Sequence, residues 1–64
     1  MNQNENNMLA RALSVYLETI WDESDKLTPK DEKRKQEICD EVNLIHQFVL
    51  NNNIVLPTYI SARF

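Results

Sequence analysis

The chain has 64 residues, 42% hydrophobic and 27% charged, with ten acidic against seven basic side chains and a net charge of −3. That describes one small folded domain at most, neither disordered nor membrane-embedded; no apolar run exceeds three residues, as in Phe48-Val49-Leu50 and Ile54-Val55-Leu56, far short of a bilayer span. Glycine is absent and cysteine occurs once, at Cys39, which excludes Gly-dependent phosphate loops, an internal disulfide framework and a cysteine-built zinc site.

Residues 1–7 are polar and of low complexity, and read as a mobile tail ended by an Asn cap at Asn6. From Met8 to about Ser24 the apolar period is helical. Leu9, Leu13, Tyr16 and Ile20 form one line, with Leu17 and Trp21 beside it and Ala12 on its other flank. Arg11, Ser14, Glu18 and Asp22 fall on the opposite face, and Val15 falls at the margin.

The loop is Asp25-Lys26-Leu27-Thr28-Pro29. Thr28 followed by Pro29 predicts a helix start, with a hydroxyl N-cap and proline at the first helical position. Asp31 stands where the third residue of a capping box belongs. The second helix is expected over about 29–51. Its first turns are charged on all sides, and Ile38, Val42, Ile45 and Val49 then repeat the stripe of the first helix. Phe48 widens that stripe on one side, and Cys39 and His46 on the other.

Asn51-Asn52-Asn53 predicts the helix end, because asparagine tolerates the left-handed conformation that glycine usually supplies. Ile54 to Ile60 is β-branched and aromatic, interrupted by Pro57. Two forms are open for 54–64: an extended segment, or a last helical turn from Pro57 with Ile60 and Phe64 on one side. Two roles are open as well, a cover packed on the hairpin or a docking strip for a partner.

The expected fold class is all-α. Residues 8–53 form an antiparallel helical hairpin that pairs Ile20 with Ile38, Tyr16 with Val42, Leu13 with Ile45 and Leu9 with Val49. The helix ends in that register are about 12 Å apart, and four or five loop residues reach about 13–17 Å, so the hairpin closes. A core this small rarely supplies more than about 3–5 kcal/mol. Two helices alone leave Leu17, Trp21, Phe48 and the tail facing water, which predicts a homodimeric four-helix bundle, or a tail covering one part and a protein partner the rest.

Chemistry has few residues to use. Cys39 and His46 lie about 10 Å apart along one helix, beyond the reach of a nucleophile–base dyad, and read as a small buried side chain and a core-edge residue. Glu18 and Asp22 are neighbouring carboxylates with no histidine beside them, so they read as a solvated acidic face and no cofactor or metal is expected. Lys30, Lys33, Arg34 and Lys35 form a basic cluster, but Asp31 and Glu32 interrupt it and no aromatic residue interleaves.

In length and hairpin order the chain resembles the small sporulation aspartyl-phosphate phosphatases. Their Ser-x-x-x-Asp signature on the second helix is missing, since no serine lies between Pro29 and Asn53, and their activity is not carried over.

The function expected is therefore a non-enzymatic protein–protein interaction module: a small regulator, inhibitor or adaptor. Its contacts are expected at Leu17, Trp21, Phe48, Ile54, Leu56, Tyr59, Ile60 and Phe64, with Trp21 foremost. The alternative is a role related to nucleic acid, by direct contact through Lys30, Lys33, Arg34 and Lys35, or by blocking a DNA-binding protein with the acidic helix faces. The absence of a basic-then-apolar leader and the single cysteine set the expected location as cytoplasmic, without membrane association.

Overall fold

The computed structural model describes residues 2–64 and consists of three helices, α1 (Gln3–Asp25), α2 (Glu32–Asn51) and α3 (Thr58–Ser61). There is no strand among the described residues, nor a helix long and apolar enough to cross a membrane.

Helix α1 starts at Gln3 rather than at Met8. Asn2 is the cap: its side-chain oxygen accepts the Glu5 N–H at 2.8 Å, and its amide donates to Glu5 Oε1 at 3.0 Å. This Asn-x-x-Glu exchange is a capping box in which both partners are polar and exposed. Asn6, expected as the cap, lies inside the helix and donates instead to the Asn53 carbonyl at 3.4 Å, tying the start of α1 to the end of α2.

Helix α2 starts at Glu32, three residues later than expected. Thr28 and Asp31 do exchange capping interactions. The Asp31 carboxylate accepts the Thr28 N–H at 3.0 Å and its hydroxyl at 3.1 Å, and the Thr28 hydroxyl accepts the Lys30 N–H at 3.3 Å. These bonds close a separate turn over Thr28–Asp31, with the Asp31 N–H on the Thr28 carbonyl at 2.9 Å. Pro29 lies in that turn, and Asp31 becomes the N-terminal flank of α2, its carbonyl accepting from Lys35 N at 3.0 Å.

The end of α2 follows the expectation closely. Asn53 is the one non-glycine residue with positive φ among the described residues, at 53°. The Ile54 N–H returns to the Val49 carbonyl at 3.0 Å and the Asn53 N–H to the Leu50 carbonyl at 3.4 Å. This is a Schellman cap with asparagine in the position glycine usually holds. Val49 and Ile54, the apolar pair that accompanies such a cap, are both buried.

The cap turns the chain back along the hairpin. Residues 54–57 are irregular, and Thr58–Ser61 forms the single turn of α3, packed on α1. Ile54, Leu56 and Ile60 join Leu17, Ile20, Trp21, Ile38 and Val49 in one core. Burying each of the three tail side chains is worth roughly 1.5–3 kcal/mol relative to leaving it exposed.

This third element changes which line of α1 is central. The most buried positions are Ala10, Ser14, Leu17, Ile20 and Trp21, whereas Leu9 and Leu13 are only partly buried. The helix is thus turned toward the tail relative to a pure hairpin. Ser14, expected on the outer face, is buried, and its hydroxyl donates to the Ala10 carbonyl at 2.7 Å. Ala10 and Ser14 are small enough to let the C-terminal segment lie close against the helix. Leu17 and Trp21, expected to face water or a second chain, are covered by the chain itself.

The molecule is a rod of 43 × 18 × 17 Å with a radius of gyration of 12.8 Å, against about 11 Å for a compact domain of this length.

Candidate interaction surfaces

The closed side of the helix pair ends in an aromatic clasp. The Phe64 ring stacks on His46 at 4.5 Å between centroids, with a 10° interplanar angle. It also meets Trp21 edge-on at 5.8 Å, and the Arg63 guanidinium sits over the Trp21 ring at 4.4 Å. The charged start of α2 gives Trp21 little cover, and the C-terminus supplies it instead. Among the residues expected to contact a partner, Leu17, Trp21, Ile54, Leu56 and Ile60 are therefore buried within one chain, and Phe64 is half-buried.

Phe48 and Tyr59 stay exposed, and they lie on different surfaces. Phe48 belongs to the open side of the pair. The Tyr16 hydroxyl of α1 donates to Glu41 Oε1, and Phe48 follows Glu41 two turns later on the same line of α2, whereas Leu44 lies further round the helix, lining an outer depression with Asp40, Asn43 and Gln47. Leu44 is 71% exposed, and Phe48 and Tyr16 are each 43% exposed. Tyr16 pairs with the immediate neighbour of Val42, its predicted counterpart, so the two stripes meet close to the expected register.

Beside these apolar side chains lies an ionic strip. Arg34 grips Glu23 across the helices with two bonds, Nε to Oε2 at 2.6 Å and Nη2 to Oε1 at 2.9 Å. Its Nη1 also approaches Glu37 at 3.4 Å and Glu41 at 3.6 Å. The hydrogen bonds from Arg34 hold the Glu23 carboxyl below its usual range, and those same bonds hold the Arg34 guanidinium charged well above its own. The hydrogen bond to Glu41 raises the Tyr16 phenol, and the nearby negative charge adds to it.

The expected basic cluster does not form one surface. Lys30 is in the turn before α2, and Arg34 is committed to Glu23. Lys33 and Lys35 are exposed two positions apart on a helix, which sets them on opposite sides. Cys39 is exposed rather than buried, with the Asn43 amide 4.0 Å from its sulfur. Glu18 and Asp22 are exposed, and Asp22 pairs with Lys26 at 3.4 Å. No group of three or more metal-ligating side chains is assembled among the described residues.

Sequence reasoning missed Leu44, the most exposed of the three apolar side chains on the open side. Its place three residues after Glu41 and four before Phe48 was the available signal. No protein-family model, curated protein or solved structure matches the chain.

Proposed function

We propose that this protein is a non-enzymatic interaction module, a small regulator, inhibitor or adaptor, whose open side packs against the helical surface of another protein. In its simplest form that surface is a second copy, which makes a four-helix bundle. The observation that carries this is that Tyr16 on α1, Phe48 on α2 and, further round α2, Leu44 are left in water after the C-terminal segment has closed the other side. Apolar strips flanked by charges are how helical faces pair: the aliphatic and aromatic side chains supply the burial, and the charged rim selects partner and register. The rim here offers both signs, Arg34 against Glu23, Glu37 and Glu41. The shape supports the same reading. The chain exposes 4849 Å², more than the roughly 4300 Å² of a compact monomer this size.

Sedimentation equilibrium at tens of micromolar tests this. A mass of twice the chain is expected, reverting to a single chain in Phe48→Glu and in Leu44→Glu. A wild-type monomer whose binding to other proteins is unchanged by both variants overturns the proposal. Binding to DNA that falls steeply with salt and is lost in Lys33→Glu would place the role with nucleic acid instead.

A further inference from the structure

On the side of α1 away from Tyr16, a groove of about 430 Å³ runs between the helix and the C-terminal segment. Ala10 and Ser14, both buried, line it, and the Ser14 hydroxyl is already satisfied by the Ala10 carbonyl. Val15, Val55 and Tyr59 also line it, 61%, 80% and 63% exposed, and nothing in the chain covers them.

The charges beside this groove are ordered along α1. Arg11 lines it on the N-terminal side of Val15, and Glu18 on the C-terminal side. Asn7, one turn before Arg11, lines it as well, and Asp22, one turn after Glu18, lines an adjoining depression that Val15 and Glu18 share. The order is therefore amide, base, apolar, acid, acid at helical spacing on one face. Arg11 and Glu18 are two turns apart, about 10 Å along the axis. Neither takes part in an ion pair among the described residues.

We infer that this groove pairs with the same groove of a second copy laid antiparallel across it. Reversing α1 about its Ser14–Val15 step sets Glu18 of each copy opposite Arg11 of the other, and Asp22 opposite Asn7. A copy laid parallel instead sets Arg11 on Arg11 and Glu18 on Glu18, so the charges fix the direction. The contact is isologous, and it takes Val15, Val55 and Tyr59 of both copies out of water. A partner of one charge sign, nucleic acid included, loses at one end of the groove what it gains at the other. Three apolar side chains a copy supply less than the roughly 800 Å² per partner of a stable interface, so the pairing is weak, with a Kd of about 1 mM. It does not depend on the open side, which lies across α1 and can be filled at the same time.

Sedimentation equilibrium of Phe48→Glu, in which the open side is blocked, tests the inference over about 0.1–2 mM. The mass should rise with concentration from one chain toward two. Arg11→Glu and Glu18→Arg, added singly, should each weaken that pairing about tenfold or more, because each turns two attractions into two repulsions. Both side chains are exposed, and a thermal melt verifies that each variant is folded. The double variant Arg11→Glu/Glu18→Arg should restore pairing, as should an equimolar mixture of the two single variants, since every pair is again of opposite sign. Val55→Asp should weaken it about as much as either reversal. With Phe48 intact, Arg11→Glu should leave the mass at tens of micromolar unchanged, which separates this groove from the open-side reading. A mass of one chain throughout, pairing indifferent to both reversals, or a mixture that pairs no better than its components overturns the inference.

Discussion

On one side of the helix pair, Ile54, Leu56 and Ile60 are packed into a core with Leu17 and Trp21, and Phe64 closes the end against His46. On the other side, Tyr16, Leu44 and Phe48 remain in contact with water. Both sides are apolar at helical spacing, so periodicity does not distinguish them. What distinguishes them is a single backbone event: Asn53 adopts a left-handed conformation and sends the last eleven residues to one side only. A chain of this size has one strap, and one strap covers one side. Stability should therefore reside on the strapped side and recognition on the open one.

Core truncation gives the largest effect and breaks the comparison most readily. Leu17→Ala or Ile60→Ala, at the two most completely buried large side chains, should cost about 2–5 kcal/mol in urea denaturation. For a domain with little stability to spare, that approaches global unfolding. Leu44→Ala, measured in the same way under conditions where the chain is monomeric, should stay within about 0.5 kcal/mol. Equal losses on both sides would abolish the distinction.

The turn that aims the strap comes next. Asn53→Ala places a β-carbon residue without a side-chain amide at a φ of 53° and should cost about 1 kcal/mol. Asn53→Gly should be neutral or stabilising. Loss of the Asn2 cap should cost less, about 0.5 kcal/mol in Asn2→Ala, because the first turn of α1 is exposed. Amide hydrogen exchange should place that fraying in the first turn alone.

The smallest effects are electrostatic and belong to the open side. Glu23 titrates below its ordinary value of 4.5 because Arg34 bonds to it. Its contribution to stability is complete above that value and is lost as pH falls through the lower folded one. Tyr16 titrates above its ordinary 10.0 because it donates to Glu41. Its contribution is complete below that value and is lost as pH rises through the higher folded one. Both effects should be small and weakened by salt. Urea midpoints against pH should lose the acidic dependence in Glu23→Gln and the alkaline one in Tyr16→Phe.

The hairpin and its register were legible because two stripes of equal length can match in only a few ways, and Glu41 lies one position from the predicted partner of Tyr16. The asparagine cap was legible because a chain without glycine has few other residues suited to a positive φ. The start of α1 was hidden, since residues 3–7 lie on an exposed helical turn that needs no apolar member to form. The start of α2 was misplaced because Thr28, Pro29 and Asp31 carry the same chemistry in a turn as in a helix cap. The burial of Ser14 was not legible, because it depends on where the strap lies, and a helical period computed for α1 alone contains nothing about residues 54–64. The open strip was half legible: Phe48 stood out by size, whereas Leu44 lay outside the stripe that defined the core.

Amide chemical shifts of the full chain, followed across a dilution series from high to low micromolar, test the division between the two sides most directly. Shifts at Tyr16, Leu44 and Phe48 should move with concentration while those of Ile54, Leu56, Ile60 and Phe64 stay fixed. Concentration-dependent shifts centred on the C-terminal segment, with the α2 strip unmoved, would contradict the account.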